Sequence, residues 1–165
     1  MSTLVISPLE RADLDDVLEI ERVQFDDPWS RQVLQDELDD ATRRYTKATE
    51  DTALVGYLGL MVLAKEGEAH VNTLATAPDR ESRGVATALL VESLRGVVAL
   101  GVRDVTLEVA SRNLRAQRLY ARFGFAPVGV RRGYYARSGD DAVVMWVRDV
   151  DTPSYAARLR TIEAA

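Results

Sequence analysis

A glycine-bearing turn set between an apolar strand and an apolar helix constrains this chain more than any other stretch. The alternating run 69–76 closes at Pro78, Arg80-Glu81-Ser82-Arg83-Gly84-Val85-Ala86-Thr87 follows, and a helical stripe starts at once. A helix over about 85–100 places Ala86, Leu89, Leu90, Leu94 and Val97 on one face, and Gly101 supplies a C-terminal stop. Residues 83–87 then present unpaired backbone N–H groups at the positive end of a helix dipole, where a pyrophosphate can be held. Gly84, lacking Cβ, lets those amides approach phosphate oxygens closely.

Downstream, 103–110 alternates, so that Val105, Leu107 and Val109 share one face while Thr106, Glu108 and Ala110 share the other. Glu108 therefore points away from the aliphatic side. The next helix, 113–123, carries Ala116, Leu119, Tyr120 and Phe123 at helical spacing and ends at Gly124. A carboxylate and a phenol one helix apart can converge on one cleft and move protons. Strands 125–130 and 142–147 are expected across Ser138-Gly139-Asp140-Asp141. Toward the N-terminus, Leu4-Val5-Ile6 is a short strand and Asp13 caps a helix bearing Leu14, Val17 and Leu18, ended by Pro28. Ser30 caps a second helix with Val33, Leu34 and Leu38, leaving 25–29 as a loop. Strands at 45–49 and 54–63 are expected neighbours, and Lys65-Glu66-Gly67-Glu68 turns into 69–76. Strands mixed with helices predict an α/β or α+β sandwich.

With 165 residues, 47% hydrophobic and 28% charged, the composition suits one globular domain with a real core. The absence of cysteine excludes disulfides, a thiol nucleophile and cysteine-ligated zinc. Met1-Ser2-Thr3-Leu4 lacks the basic and apolar regions of a secretory signal, so the cytoplasm is the expected compartment. The longest apolar run, 53–64, is too short to span a bilayer, and no membrane association is expected. A net charge of −5 argues against general affinity for nucleic acid, leaving open a local patch of Arg131, Arg132 and Arg137. The early acidic residues, Asp13, Asp15, Asp16, Asp26, Asp27, Asp36, Asp39 and Asp40, form either a rim that attracts a cationic amine or a solvated helix face. His70, the only histidine, sits in a predicted strand and is read as structural, and no metal site is expected. Residues 151–165, with Pro153 and an Ala/Arg-rich end, form a peripheral tail or a short docking helix.

The order of strand, glycine turn, helix, Leu107-Glu108-Val109, Asn113-Leu114-Arg115-Ala116-Gln117-Arg118-Leu119-Tyr120 and Phe123-Gly124-Phe125 resembles the GNAT N-acetyltransferases, which use acetyl-CoA. Arg131-Arg132-Gly133-Tyr134-Tyr135, then Asp141-Ala142-Val143-Val144-Met145, with Asp27-Pro28-Trp29-Ser30, is similar to the N-terminal protein acetyltransferases of the ribosomal-protein-alanine (RimI) type. The likeness covers roughly residues 3–148.

This resemblance implies a GNAT fold in a single domain over 1–150, with a central mixed, mostly antiparallel sheet flanked by helices and a tail at 151–165. It implies that backbone groups of Leu74, Ala75 and Thr76 pair with the pantetheine arm of acetyl-CoA and that Ser82, Arg83, Gly84, Val85, Ala86 and Thr87 hold its pyrophosphate. Asn113 would fix the cofactor through its amide, Glu108 would be the base, working through water, and Tyr120 the acid. Trp29, Tyr134 and Tyr135 would shape a pocket for a small first residue. The implied partner is a protein N-terminus, that of a ribosomal small-subunit protein beginning with alanine, with no direct nucleic-acid contact. The alternatives are the same chemistry on a lysine side chain or small amine, or a non-catalytic acyl-CoA-binding module. Glu81 stands where the family has Gln or Arg, placing an extra carboxylate near the phosphates. Taken singly, Glu108 is an ordinary strand carboxylate, Tyr120 a core residue, Tyr134 and Tyr135 sheet-packing aromatics and Trp29 a packing anchor; their joint order carries the chemical reading.

Overall fold

Period-two stretches separated by turn residues fold as strands, and the 3.6-residue stripes between them fold as helices. A computed structural model of the chain describes residues 3–165. In chain order it contains β1 (Leu4–Pro8), α1 (Leu14–Gln24), α2 (Arg31–Asp39), β2 (Arg43–Glu50), β3 (Ala53–Leu63), β4 (Glu68–Thr76), α3 (Val85–Val98), β5 (Asp104–Ala110), α4 (Leu114–Arg122), β6 (Ala126–Arg131), β7 (Ala142–Val147) and α5 (Pro153–Ala164). Short 3₁₀ turns at Arg11–Asp13 and Pro78–Arg80 precede α1 and α3. The sheet order is β1-β2-β3-β4-β5-β7-β6. β1 with β2, β2 with β3, β5 with β7 and β6 with β7 pair antiparallel, while β4 and β5 pair parallel. The expected mixed, mostly antiparallel sheet is therefore present.

The parallel register is short. It joins Glu68 to Asp104, Ala69 to Val105, His70 to Thr106 and Val71 to Leu107, and stops there although β4 continues to Thr76.

Two compact units emerge from the chain, one from residues up to Val62 with Asn72–Ser93, the other from Leu63–Val71 with Leu94–Ala165. In the first, Leu14, Val17 and Leu18 of α1 are buried as the stripe predicts, clustered with Leu9, Ile20, Leu34, Tyr45, Tyr57 and Ala75. Gly56 of β3 lets α3 approach: a Cβ there would lie 2.7 Å from Val85 Cγ1 and 3.0 Å from the Ala75 carbonyl oxygen. In the second unit, Val105, Leu107 and Val109 are buried, as the alternation of β5 requires. Phe123 is fully covered, and its carbonyl accepts a 2.6 Å hydrogen bond from the Tyr155 hydroxyl of α5. Leu159 and Ile162 are also buried, and Arg95 pairs with Glu163 at 2.6 Å, so α5 docks rather than trails.

Several local expectations are corrected. α1 ends at Gln24, ahead of Pro28, because Phe25 takes an extended conformation. The Asp13 carboxylate does not cap α1; it accepts from the Glu10 N–H at 2.8 Å and from Lys47 at 2.7 Å, since a 3₁₀ turn leads into the helix. α3 stops at Val98, and Gly101 turns the chain with φ 93°. Ser30 caps α2 as predicted, accepting from the Val33 N–H at 3.2 Å.

Burial ranks the cost of side-chain loss. Phe123→Ala is expected to lower unfolding free energy by about 3–5 kcal/mol, measured by urea denaturation. Val33→Ala, on a side chain 42% exposed, is expected to change it by less than about 0.5 kcal/mol.

Candidate active site

The glycine turn adopts the geometry that a phosphate cradle needs. Ser82 (φ 62°) and Gly84 (φ 84°) both occupy the left-handed region on either side of Arg83. α3 begins directly afterwards, with the Ala88 N–H bonded to the Gly84 carbonyl at 3.0 Å. The N–H groups of Val85, Ala86 and Thr87 thus belong to its first turn, which has no carbonyl of its own helix to bond. A Cβ built on Gly84 meets nothing within 4 Å, so the space before the turn is open. Ser82, Arg83 and Gly84 are exposed, and Val85 is buried as the anchor. These residues fit an anionic diphosphate.

Leu74, Ala75 and Thr76 lie at the end of β4, beyond the register with β5. Gln24, in the last turn of α1, donates to the Thr76 carbonyl at 2.6 Å and to Glu81 Oε1 at 2.7 Å. The carboxylate that departs from the family pattern is thereby held by an amide. Arg80 pairs with Asp79 at 2.7 Å and with Glu50 at 3.3 Å, committing its charge to those acids. Nothing in the local pattern marks Gln24, because its partners are 52 and 57 residues away.

Trp29 packs against the core cluster around α1, and its backbone N–H donates to Glu21 Oε2 at 3.0 Å. Glu21 is 2% exposed and its other oxygen accepts from the Tyr57 hydroxyl. Burial raises the Glu21 pKa above 4.5, outweighing these two hydrogen bonds, which favour the ionised form. The loop between α1 and α2 is thus fastened to a buried carboxylate.

In the second unit, Glu108 occupies the polar face of β5 with a side chain 12% exposed. His70 Nε2 lies 2.5 Å from Glu108 Oε2, and Arg131 Nε lies 3.4 Å from Oε1. His70, read from its strand position as structural, thus contacts the Glu108 carboxylate. Tyr134 and Tyr135 are not strand residues; they sit in the loop between β6 and β7, their rings edge to face at 5.1 Å, with Arg131 over Tyr134 at 5.9 Å. Asp141 pins this loop by accepting from the Gly133 N–H at 2.8 Å, and Arg112 holds Asp140 at 2.8 Å. Burial, then the charges of Tyr134, Glu108 and Asp140, push the Tyr135 phenol up to about 12. Of the expected basic patch, Arg131 faces Glu108 and Arg132 faces Asp141 at 3.5 Å.

Tyr120 of α4 is 7% exposed and packs edge-on to Phe125 at 5.7 Å. Burial raises its pKa well above 10, and Tyr135 adds to the shift. Tyr135 responds to Glu108 and Tyr120 responds to Tyr135, so carboxylate and phenols share one electrostatic neighbourhood. Asn113 is the N-cap of α4, its side-chain oxygen accepting from the Ala116 N–H at 3.0 Å. A cofactor would therefore meet an amide oxygen that already has a structural task.

A strand, an amide-lined turn and a helix, followed by a carboxylate strand and a tyrosine helix, form a recognised assembly: residues 14–125 match the model of the Acetyltransferase (GNAT) family. The chain belongs to that family. It is 38% identical over 158 residues to the N-alpha-acetyltransferase RimI of Mycobacterium tuberculosis, covering 92% of this chain and 96% of the relative. It is 30% identical over 146 residues to the [ribosomal protein bS18]-alanine N-acetyltransferase of Haemophilus ducreyi, covering 86% and 97%. The crystal structure of the ribosomal-protein-S18-alanine N-acetyltransferase of Escherichia coli superposes with a TM-score of 0.81 at 28% identity, over 89% of this GNAT chain and 94% of that one. Among the described residues, no helix is long and apolar enough to cross a membrane, and no group of three or more acidic or histidine side chains could hold a metal ion.

Three outcomes test these geometries. Gly84→Ala forces a Cβ into the left-handed region and is expected to weaken coenzyme A binding about tenfold by calorimetry, from roughly 1–2 kcal/mol of backbone strain. Gly96→Ala, in the interior of α3 with open space around it, is expected to stabilise the fold by about 0.5–1 kcal/mol. For Glu21, a folded pKa above the unfolded one means that stability is full below the unfolded value and lost as pH rises through the folded value. Glu21→Gln keeps an acceptor for the Trp29 N–H and is expected to melt higher than wild type near neutral pH. The gap should close as pH falls toward 4.5, read by thermal denaturation across pH.

Proposed function

We propose that this GNAT enzyme transfers acetyl from acetyl-CoA to the α-amine of a protein that begins with alanine, in particular a ribosomal small-subunit protein. The observation that carries the reading is the left-handed pair Ser82 and Gly84 at the start of α3, a ready receptor for a diphosphate-bearing acyl carrier. The relative named [ribosomal protein bS18]-alanine N-acetyltransferase, matched over 97% of its length, and the one named N-alpha-acetyltransferase RimI, matched over 96%, support this substrate class.

When bound, acetyl-CoA supplies an activated thioester. In this reading, the main chain of Leu74, Ala75 and Thr76 holds its pantetheine arm, and residues 82–87 hold its diphosphate. A free α-amine titrates near 8, so at neutral pH most of it carries a proton and cannot attack. Glu108 removes that proton through water. Tyr120, kept protonated by burial, donates a hydrogen bond to the sulfur as the thiolate departs. Because its pKa exceeds that of a thiol, near 8.5, the phenol shares its proton with the leaving group rather than surrendering it early. Tyr134 and Tyr135 offer rings and hydroxyls to the incoming peptide, and Trp29 sets the position of the loop beside it. Asn113 contributes the remaining amide hydrogens toward the carrier.

The decisive experiment is acetyl transfer to peptides that differ only in their first residue, with free or blocked α-amines. Transfer to free alanine peptides alone is expected, and transfer only to blocked, lysine-bearing peptides would replace this reading with side-chain acetylation. Tyr120→Phe retains the ring but not the donor, and is expected to lower kcat roughly a hundredfold with little change in coenzyme A affinity. Unaltered turnover in that variant would remove Tyr120 from the chemistry.

A further inference from the structure

The C-terminal helix meets the tyrosine helix at its cap. The family model ends at residue 125, so α5 lies wholly outside it. Its Tyr155 is buried, and the hydroxyl donates to the Phe123 carbonyl at 2.6 Å. Phe123 closes α4. Beyond it Gly124 turns left-handed at φ 89°, its N–H donating to the Ala121 carbonyl at 3.0 Å, and the Phe125 N–H donates to the Tyr120 carbonyl at 3.1 Å. These two bonds are the paired closure of a Schellman motif; they satisfy the carbonyls of Tyr120 and Ala121 but not that of Phe123, for which Tyr155 supplies the donor. The cap bears on Tyr120 twice, since its main chain is one end of the closure and its ring packs edge-on at 5.7 Å to Phe125, the other end. Arg158, about one turn beyond Tyr155, covers the same place, its guanidinium filling the space that a Cβ on Gly124 would take. α5 has other anchors: Thr152 caps it by accepting from the Tyr155 N–H at 3.3 Å, Leu159 and Ile162 are buried, and Arg95 pairs with Glu163 at 2.6 Å. The Tyr155 hydroxyl is thus presented from a fixed support.

We propose that Tyr155 is a positioning residue for acetyl transfer: by holding the Phe123 carbonyl it fixes the end of α4, and with it the place of the Tyr120 hydroxyl. The proposal rests on the reading of Tyr120 as the acid. Without the Tyr155 hydroxyl a buried carbonyl loses its partner, and the segment 123–125 regains one by shifting toward water. Because the closure and the Phe125 ring both bear on Tyr120, its phenol shifts with that segment. A proton donor must lie within hydrogen-bond reach of the departing sulfur, and a displacement on the order of 1 Å can cost about a hundredfold in rate. Tyr155 stays a donor at every pH used for assay, since burial pushes its phenol up to about 12 against the opposing charge of Arg158.

The test measures kcat and peptide KM for a free alanine peptide at saturating acetyl-CoA, coenzyme A affinity by calorimetry, and melting temperature. The proteins are wild type, Tyr155→Phe, Ile162→Val, Tyr120→Phe and the double variant Tyr120→Phe/Tyr155→Phe. Tyr155→Phe keeps the buried ring and is expected to lose roughly tenfold in kcat, with peptide KM and coenzyme A affinity nearly unchanged. Ile162→Val trims the buried face of α5 about two turns away and is expected to lower the melting temperature while keeping wild-type kcat. Since Tyr155 acts only through Tyr120, the double variant should be no slower than Tyr120→Phe. Wild-type kcat in Tyr155→Phe, with Tyr120→Phe slow, would overturn the proposal and leave the reading of Tyr120 standing. An equal loss of kcat in Ile162→Val would overturn it in favour of a general need for a docked α5, and a double variant slower than both singles would overturn it by placing the action of Tyr155 elsewhere. Full turnover in Tyr120→Phe would end the reading of Tyr120, and the proposal with it.

Discussion

Four residue pairs between β4 and β5 decide where the Glu108 carboxylate lies. Their register, Glu68 with Asp104 through Val71 with Leu107, brings His70 to the Glu108 carboxylate. A slip of one residue in β5 would send Glu108 to the face occupied by Val105, Leu107 and Val109 and bury an unpaired charge among aliphatic side chains. The register is therefore enforced by the hydrophobic core, and the placement of the carboxylate follows from it.

Helix α1 plays the corresponding part in the first unit. Its buried stripe fixes the helix, and its last turn then offers two polar side chains three residues apart, Glu21 and Gln24, to two different tasks. Glu21 fastens the loop through the Trp29 N–H and the Tyr57 hydroxyl, while Gln24 ties the end of β4 to Glu81. The loop before α2 and the turn before α3 thus share a single rigid support.

Local periodicity made much of this legible. The two faces of β5, the stripes of α1 and α3, the Ser30 cap and the glycine turn are all patterns within a dozen residues, and the folded chain carries each of them. The contacts that complete the candidate site are of another kind. His70 and Glu108 are 38 residues apart and meet only because two strands pair in parallel, which no alternation encodes. Gln24 finds Glu81 across 57 residues, a contact between a helix end and a turn that no local pattern marks. Tyr134 and Tyr135 carry strand-forming side chains, yet Gly133 at φ 59° and the Asp141 carboxylate bend their segment into a loop, so backbone geometry overrides side-chain preference there. Asp13 had the right type for a cap, but the 3₁₀ turn before α1 and Lys47 claim its oxygens.

Ser82 is a serine in a conformation that glycine would adopt without strain. A side chain at that φ carries about 1 kcal/mol or more of backbone strain, which the surrounding fold has to hold. A receptor shaped in advance loses little entropy on association and demands no rearrangement on release. For the carrier proposed to bind at this turn, such stiffness would favour exchange in every cycle, with one strained residue kept in the fold.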